Sequence, residues 1–85
     1  MEIPIPSWFK YRQGNAEASG ENCYKLSAPV SEPAFIRVRE KENRWQAVVS
    51  DSADGPDVRA TGPDFANAHD AWVAAFELYR SVRIY

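Results

Sequence analysis

The last third of the chain carries an apolar stripe with the period of an α-helix. Apolar residues recur there at spacings of three and four: Ala68, Ala71, Trp72, Ala75, Phe76, Tyr79 and Val82. A helix with a single apolar face must bury that face against another layer of secondary structure. The sequence therefore predicts a C-terminal amphipathic helix that packs on a partner formed by the residues before it.

The residues at the two ends of this stripe match the ends of a helix. Asn67 is a favoured N-cap residue, and Asp70 follows it by three positions, as in a capping box. Arg80 and Arg83 suit the C-terminal end, where the helix dipole is negative. We therefore predict that the helix begins directly after Asn67.

Three stretches before the helix alternate between apolar and polar residues, namely 35–40, 44–50 and 58–62. Such alternation is typical of a strand with one buried face. Lys41, Glu42 and Asn43 form a plausible hairpin turn between the first two stretches, because Asn tolerates left-handed backbone geometry. The predicted fold class is α+β: a three-stranded antiparallel meander with one C-terminal amphipathic helix packed on one face.

The N-terminal third is less regular. Pro4 and Pro6 favour an extended arm over residues 1–12, and residues 13–22 read as a loop or mobile segment. Residues 23–26 are a candidate for a fourth short strand, ended by Pro29 and Pro33. We expect one domain over residues 1–85, with arm and loop in 1–34 and a β-β-β-α module in 35–85.

Cysteine usage and hydropathy suggest a compartment. Cys23 is the single cysteine, so no intramolecular disulfide can form, and we interpret it as a small buried apolar residue. The first residues lack the basic and apolar segments of a signal peptide. No apolar run approaches the roughly 20 residues that span a bilayer. We predict a cytoplasmic protein that does not span a membrane.

Residue types that carry chemistry are sparse. His69 is the sole histidine, and a catalytic or metal site would need further ligands at defined spacing. The aspartates between Asp51 and Asp64 do not follow the spacing of an EF-hand loop, and the glycines form no phosphate-binding loop. We therefore predict no enzyme activity, no metal and no cofactor.

A sequence pattern over residues 35–79 resembles a known DNA-binding module. Arg44-Trp45-Gln46-Ala47 in the second strand, followed by Gly62, Phe65 and the capped Ala-rich helix, is similar to AP2-type and phage-integrase N-terminal domains. In that family the exposed face of the sheet enters the major groove of DNA. The resemblance implies a DNA-facing set carried over by position: Arg37, Arg39, Arg44, Gln46 and Arg59. Two alternatives remain for this face: the solvated side of a one-sided sheet, whose arginines pair with nearby acids, and a docking surface for a protein partner with an acidic surface.

A second candidate surface lies in the N-terminal arm. Trp8, Phe9 and Tyr11 are interleaved with Lys10 and Arg12, which makes the rings candidates to stack on bases or to anchor a protein interface, where Trp, Tyr and Arg are enriched. The alternative is that the arm folds back and a ring, Trp8 or Phe9, caps the core.

The overall charge of the chain favours a protein partner over nucleic acid. The net charge is −2 and the isoelectric point about 5.3, whereas nucleic-acid binding usually needs a basic footprint. We predict a small non-catalytic binding module of bacterial or phage type that docks on another protein. The alternatives are DNA binding through the sheet face and a homodimer formed through an edge strand.

Overall fold

The computed structural model describes residues 3–29, 31–53 and 55–83. Its elements, numbered in chain order, are α1 (Ser7–Tyr11), β1 (Asn15–Ala18), β2 (Cys23–Ala28), β3 (Ser31–Lys41), β4 (Arg44–Ser50), β5 (Asp57–Ala60) and α2 (Ala68–Arg83).

The strands form one antiparallel sheet in the order β1-β2-β3-β4-β5, so each strand pairs with its neighbours along the chain. The prediction of an α+β fold with an antiparallel sheet and a C-terminal helix is confirmed. The predicted number of three strands is too small, because β1 and β2 extend the sheet by two. The candidate strand at 23–26 is real and runs on to Ala28.

Residues 1–34 contain more regular structure than the sequence indicated. A short helix, α1, occupies part of the predicted extended arm, and β1 lies within the predicted loop. β1 has the sequence Asn-Ala-Glu-Ala, which has low strand propensity, so its conformation depends on pairing with β2. Pro33 does not end a strand as expected, because it lies inside β3 near its beginning.

The core lies between one face of the sheet and α2. Across β3 and β4, Ile36 pairs with Val49 and Val38 with Ala47, and all four side chains are buried. α2 contributes the stripe that the sequence identified: Ala71, Trp72, Ala75, Phe76 and Tyr79 are its buried residues. The ring of Phe9, from α1, completes this cluster.

The predicted start of α2 is confirmed. The backbone N–H of Asp70 donates to Oδ1 of Asn67 at 2.9 Å, which is the bond expected of an N-cap side chain. The helix begins at Ala68, directly after the cap.

The β3–β4 hairpin has a two-residue turn made of Glu42 and Asn43. Both have positive φ, at 55° and 66°, and the flanking Lys41 and Arg44 are paired. Two central residues with positive φ are typical of a type I′ turn, which matches the twist of the strands. The predicted turn is therefore confirmed, with a glutamate in a conformation that side chains other than Asn, Asp and Gly rarely adopt.

This turn yields a stability prediction. We expect Glu42→Asn to raise the free energy of unfolding by about 0.5–1 kcal/mol, because Asn tolerates the left-handed region better than Glu. Urea unfolding of the two proteins measures the difference. Glu21→Asn is the matched control: it removes the same charge from an exposed turn residue without positive φ. Equal effects of the two substitutions would contradict the backbone explanation.

Candidate interaction surfaces

Four of the five sheet residues singled out by the sequence share one face. The side chains at the alternate positions of β3 and β4 form the core, so those between them point away from α2. Four of the predicted residues lie there: Arg37, Arg39, Arg44 and Gln46. Arg59 does not join them. It lies opposite Val49, whose side chain faces α2, and Nη1 of Arg59 donates to Oγ of Ser81 on that helix at 2.8 Å.

The polar side chains of this face bond to one another and to the chain that follows β5. Nε of Arg39 donates to Oε1 of Gln46 at 2.8 Å, and its guanidinium pairs with Asp57 at 2.6 Å. Gln46 in turn donates to the carbonyl oxygen of Thr61 at 2.7 Å. Arg44 bonds the backbone carbonyls of Pro63 and Asp64 at 3.0 and 2.7 Å.

Arg37 holds the connection between β4 and β5 against the sheet. Its guanidinium donates to Oγ of Ser50 at 3.4 Å and to the carbonyl oxygens of Ser52 and Ala53. Val48, directly across from Arg37, is fully buried although it faces away from α2. Arg37 therefore has a structural role, covering an apolar residue with its stem and fixing a loop with its head.

The second candidate surface is formed by α1 and the C-terminal half of α2. Phe9 is fully buried and makes edge contacts with Phe76 and Tyr79, at centroid distances of 5.4 and 5.7 Å. The Trp8 ring stacks on Tyr79, and the Arg80 guanidinium lies 5.5 Å from the Trp8 ring centroid. We call this surface the α1–α2 corner and define it by six residues: Trp8, Tyr11, Arg12, Arg80 and Arg83, together with Tyr79, which is fully buried against Trp8.

Tyr11 is the most exposed large side chain of the corner. It is 92% exposed, whereas Trp8 is half-buried. Lys10 and Arg12 on either side of it are exposed, and neither forms an ion pair within the described ranges. Two residues of the arm thus take the two positions that the sequence left open: Phe9 caps the core, and Tyr11 projects into solvent.

Several buried polar atoms of the corner lack hydrogen-bond partners among residues 3–29, 31–53 and 55–83. They are Nε1 of Trp8, Oη of Tyr79 and Nε of Arg83. Outside the corner, Nε1 of Trp72 and Nε of Arg37 share this property. Because buried polar groups are paired in most native structures, three unpaired atoms on neighbouring side chains are an unusual concentration.

The pKa of Tyr79 reflects this environment. Burial raises the pKa of its phenol above the ordinary 10.0, and the positive charges of Arg83 and Arg12 oppose that rise. Both guanidinium groups therefore lie near enough to act on the Tyr79 hydroxyl. Tyr79 and Arg83 are four residues apart on α2, which places them on the same side of the helix.

The unpaired hydroxyl makes Tyr79→Phe a stabilising substitution. We expect the free energy of unfolding at neutral pH to rise by about 1 kcal/mol, because the change removes a buried polar group that has no partner among the described residues. Urea unfolding checks this. Tyr11→Phe removes the same hydroxyl from an exposed ring and should change stability by less than about 0.5 kcal/mol. A loss of stability in Tyr79→Phe would contradict the prediction.

The raised pKa adds a pH dependence to the same pair of proteins. The folded state holds the phenol proton more tightly than the unfolded state, so this contribution is complete below pH 10.0 and is lost as the pH rises through the folded-state value. Wild type should therefore lose more stability than Tyr79→Phe as the pH rises above about 10. Equal losses of stability in the two proteins would contradict a raised pKa of Tyr79 in the folded state.

Two shallow pockets flank α2 on the described surface. One, of about 270 Å³, is lined by Pro4, Ile5, Pro6, Val73, Phe76 and Glu77. The other, of about 190 Å³, is lined by Ile3, Ala18, Gly20, Asn22, Tyr24 and Trp72. Both are smaller than the roughly 300–1,000 Å³ typical of small-molecule sites.

The other residues with chemical potential are dispersed. His69 is exposed on the first turn of α2, and its Nδ1 lies 3.4 Å from a carboxylate oxygen of Asp70. Cys23 is buried in β2. Within the described ranges, no three His, Cys, Asp or Glu side chains come together as metal ligands would.

No helix within the described ranges has both the length and the apolar character required to span a bilayer.

Comparison with known proteins gave no matching family model, no matching curated protein and no matching solved structure.

Sequence reasoning identified Trp8, Tyr11 and Arg12 as part of a candidate surface but assigned the three α2 residues of the corner to other roles. Tyr79 was interpreted only as core, and Arg80 and Arg83 only as charges complementing the helix dipole. The available signal was the spacing of Tyr79, Arg80 and Arg83 within one turn, beside an arm with Trp8 and Arg12. That signal becomes useful only when the arm is known to fold onto this end of α2.

Proposed function

We propose that this chain is a small non-catalytic binding module that docks on another protein through the α1–α2 corner, with Tyr11 as its anchor. The observation that carries the proposal is the contrast within α1: Phe9 is fully buried, while Tyr11, two residues later, is 92% exposed. A fixed helix that presents one large ring to solvent provides the kind of residue that dominates binding energy at interfaces.

The attachment of α1 favours this role. Phe9 packs against two aromatic rings of α2, and Gly14 passes so close that a Cβ atom there would lie 2.5 Å from the Phe9 ring. A side chain displayed from an ordered segment costs less entropy to immobilise on binding than one displayed from a mobile arm. Tyrosine adds little to that cost because it has two rotatable side-chain bonds.

Affinity capture with matched baits tests the proposal. Wild type, Tyr11→Ala and Lys25→Ala are immobilised at equal density in lysate of the source organism, and retained proteins are quantified by mass spectrometry. Lys25 is the control because it is exposed on β2, facing away from α2. We expect a protein that wild type and Lys25→Ala retain and Tyr11→Ala loses. Identical retention by all three baits would contradict a Tyr11-centred interface.

DNA binding through the sheet face is the second candidate, favoured by the shared orientation of Arg37, Arg39, Arg44 and Gln46. It requires those side chains to exchange their internal acceptors for phosphates or bases. A mixed-sequence duplex added to labelled protein at low and moderate salt tests it: shifts confined to β3 and β4 that fade with salt support DNA binding. Unchanged spectra at low salt would remove it.

A homodimer through an edge strand is the third candidate. β1 and β5 are the outer strands of the sheet, and all four residues of β5 are exposed. Exposed edges present unpaired backbone groups that can pair with a second copy. Light scattering of the isolated protein over a range of concentrations distinguishes a dimer from a monomer.

We keep the cytoplasm as the proposed compartment, because the chain has a single cysteine.

A further inference from the structure

We propose that the α1–α2 corner binds side-chain carboxylates of an acidic segment in the partner protein. This inference rests on the proposed docking function and specifies the chemistry of its partner. Three features of the corner support it: an excess of positive charge, donors without partners among the described residues, and the position of the neighbouring acids.

Positive charge exceeds negative charge at the corner. Lys10 and Arg12 have no acidic partner among the described residues, whereas Arg83 pairs with Asp51, and Arg80 lies 3.9 Å from Glu77. The three cationic side chains of the corner, Arg12, Arg80 and Arg83, thus face two acidic ones, on a protein whose net charge is −2. A local excess of positive charge favours an anionic partner and accelerates its association.

The three atoms of the corner without partners among the described residues are buried, so a carboxylate reaches them only after side chains at the rim move aside. The indole Nε1 of Trp8 and the Nε of Arg83 only donate hydrogen bonds, and the hydroxyl of Tyr79 can donate as well. A carboxylate only accepts, and its two oxygens take several such bonds. Hydrogen bonds between a carboxylate and a guanidinium are charge-assisted, and therefore stronger than bonds between neutral groups.

The position of the acids argues for a protein segment rather than a nucleic-acid backbone. Asp51 and Glu77 adjoin the corner through their contacts with Arg83 and Arg80. A phosphate backbone carries charge at every nucleotide and would bring further phosphates against these two carboxylates. An acidic peptide segment can place one carboxylate near Arg12 and neutral residues beside Asp51 and Glu77.

The test uses the full chain and defined probes. A capped ten-residue peptide with two central Glu residues flanked by Gly and Ser is titrated into ¹⁵N-labelled protein, with the same peptide carrying Gln in place of Glu as its control. Inorganic phosphate and a mixed-sequence DNA duplex are titrated separately. The Trp8 indole N–H signal is the main readout, because Trp8 lies in the corner and its N–H has no acceptor among the described residues.

We expect the Glu peptide to shift the Trp8 indole signal and the Gln peptide to leave it unchanged. Arg12→Gln should weaken the Glu peptide roughly tenfold, because it removes a charge-assisted contact. Lys25→Gln removes one positive charge from an exposed site on the opposite face of the sheet and should leave the affinity unchanged within a factor of two or so. Tyr79→Phe should bind more weakly although the free protein is more stable.

The proposal would be overturned if the Glu and Gln peptides shifted the Trp8 signal equally, or if neither shifted it. Equal weakening of Glu-peptide binding by Arg12→Gln and Lys25→Gln would also overturn it. So would saturation of the Trp8 signal at lower concentrations of phosphate or DNA than of the Glu peptide. These failures are separable from failure of docking itself. If the Tyr11-dependent protein is captured but the Glu peptide does not bind, the partner's chemistry is wrong and the docking surface stands.

Discussion

Replacing Phe9 by alanine is expected to lower the free energy of unfolding by about 3–5 kcal/mol, the cost typical of a buried phenylalanine. The ring is fully buried, and it packs against Phe76 and Tyr79 at 5.4 and 5.7 Å. Removing it leaves a cavity between α1 and α2 and loses both aromatic contacts. For 85 residues, whose total stability is on the order of 5–10 kcal/mol, this is a large fraction of the whole.

Urea unfolding followed by circular dichroism measures this effect, with Tyr11→Ala as the matched control in the same helix. Tyr11 is 92% exposed, so its loss should cost less than about 0.5 kcal/mol. A cost below about 1 kcal/mol for Phe9→Ala would mean that α1 is not part of the core. The ordered display of Tyr11 would then lose its physical basis.

Replacing Arg37 by alanine is expected to cost about 1–3 kcal/mol of stability. The substitution removes the donor that Ser50, Ser52 and Ala53 share, and it uncovers the buried side chain of Val48. Amide hydrogen exchange should quicken in β5 and in the residues between β4 and β5. Lys25→Ala, on the same face but without these bonds, is the control and should leave both properties unchanged.

This prediction affects how DNA-binding experiments are interpreted. If Arg37 holds the β4–β5 connection, loss of DNA binding in Arg37→Ala would report local unfolding as much as a lost phosphate contact. A variant of Arg37 with unchanged stability and unchanged hydrogen exchange would contradict the structural role and return Arg37 to the candidate DNA-facing set.

The elements predicted correctly from the sequence are those with a strong local signal. α2 shows seven apolar positions at helical spacing and a cap at Asn67, and the β3–β4 hairpin shows alternation on both sides of a turn that contains Asn43. Local periodicity and local turn chemistry determine such elements. The face of the sheet that α2 covers was not predicted, because the apolar Val48 interrupts the polar positions of the second alternating stretch.

The elements that were missed depend on contacts between residues distant in sequence. β1 has no strand signal of its own and is ordered by pairing with β2, and α1 is a single turn held by the burial of Phe9. The register of β5 against β4, which turns Arg59 toward α2, could not be read from a four-residue strand. The corner surface depends on all of these and was therefore only partly predictable.

Site-specific photo-cross-linking tests the central claim most directly. A photoreactive phenylalanine analogue replaces Tyr11 in one protein and Lys25 in another, and both are irradiated in cells of the source organism. The account predicts a discrete cross-linked protein from position 11 and none from position 25, with the cross-link reduced by Arg12→Gln. Cross-links of equal yield and identity from both positions, or from position 25 alone, would contradict docking through the α1–α2 corner.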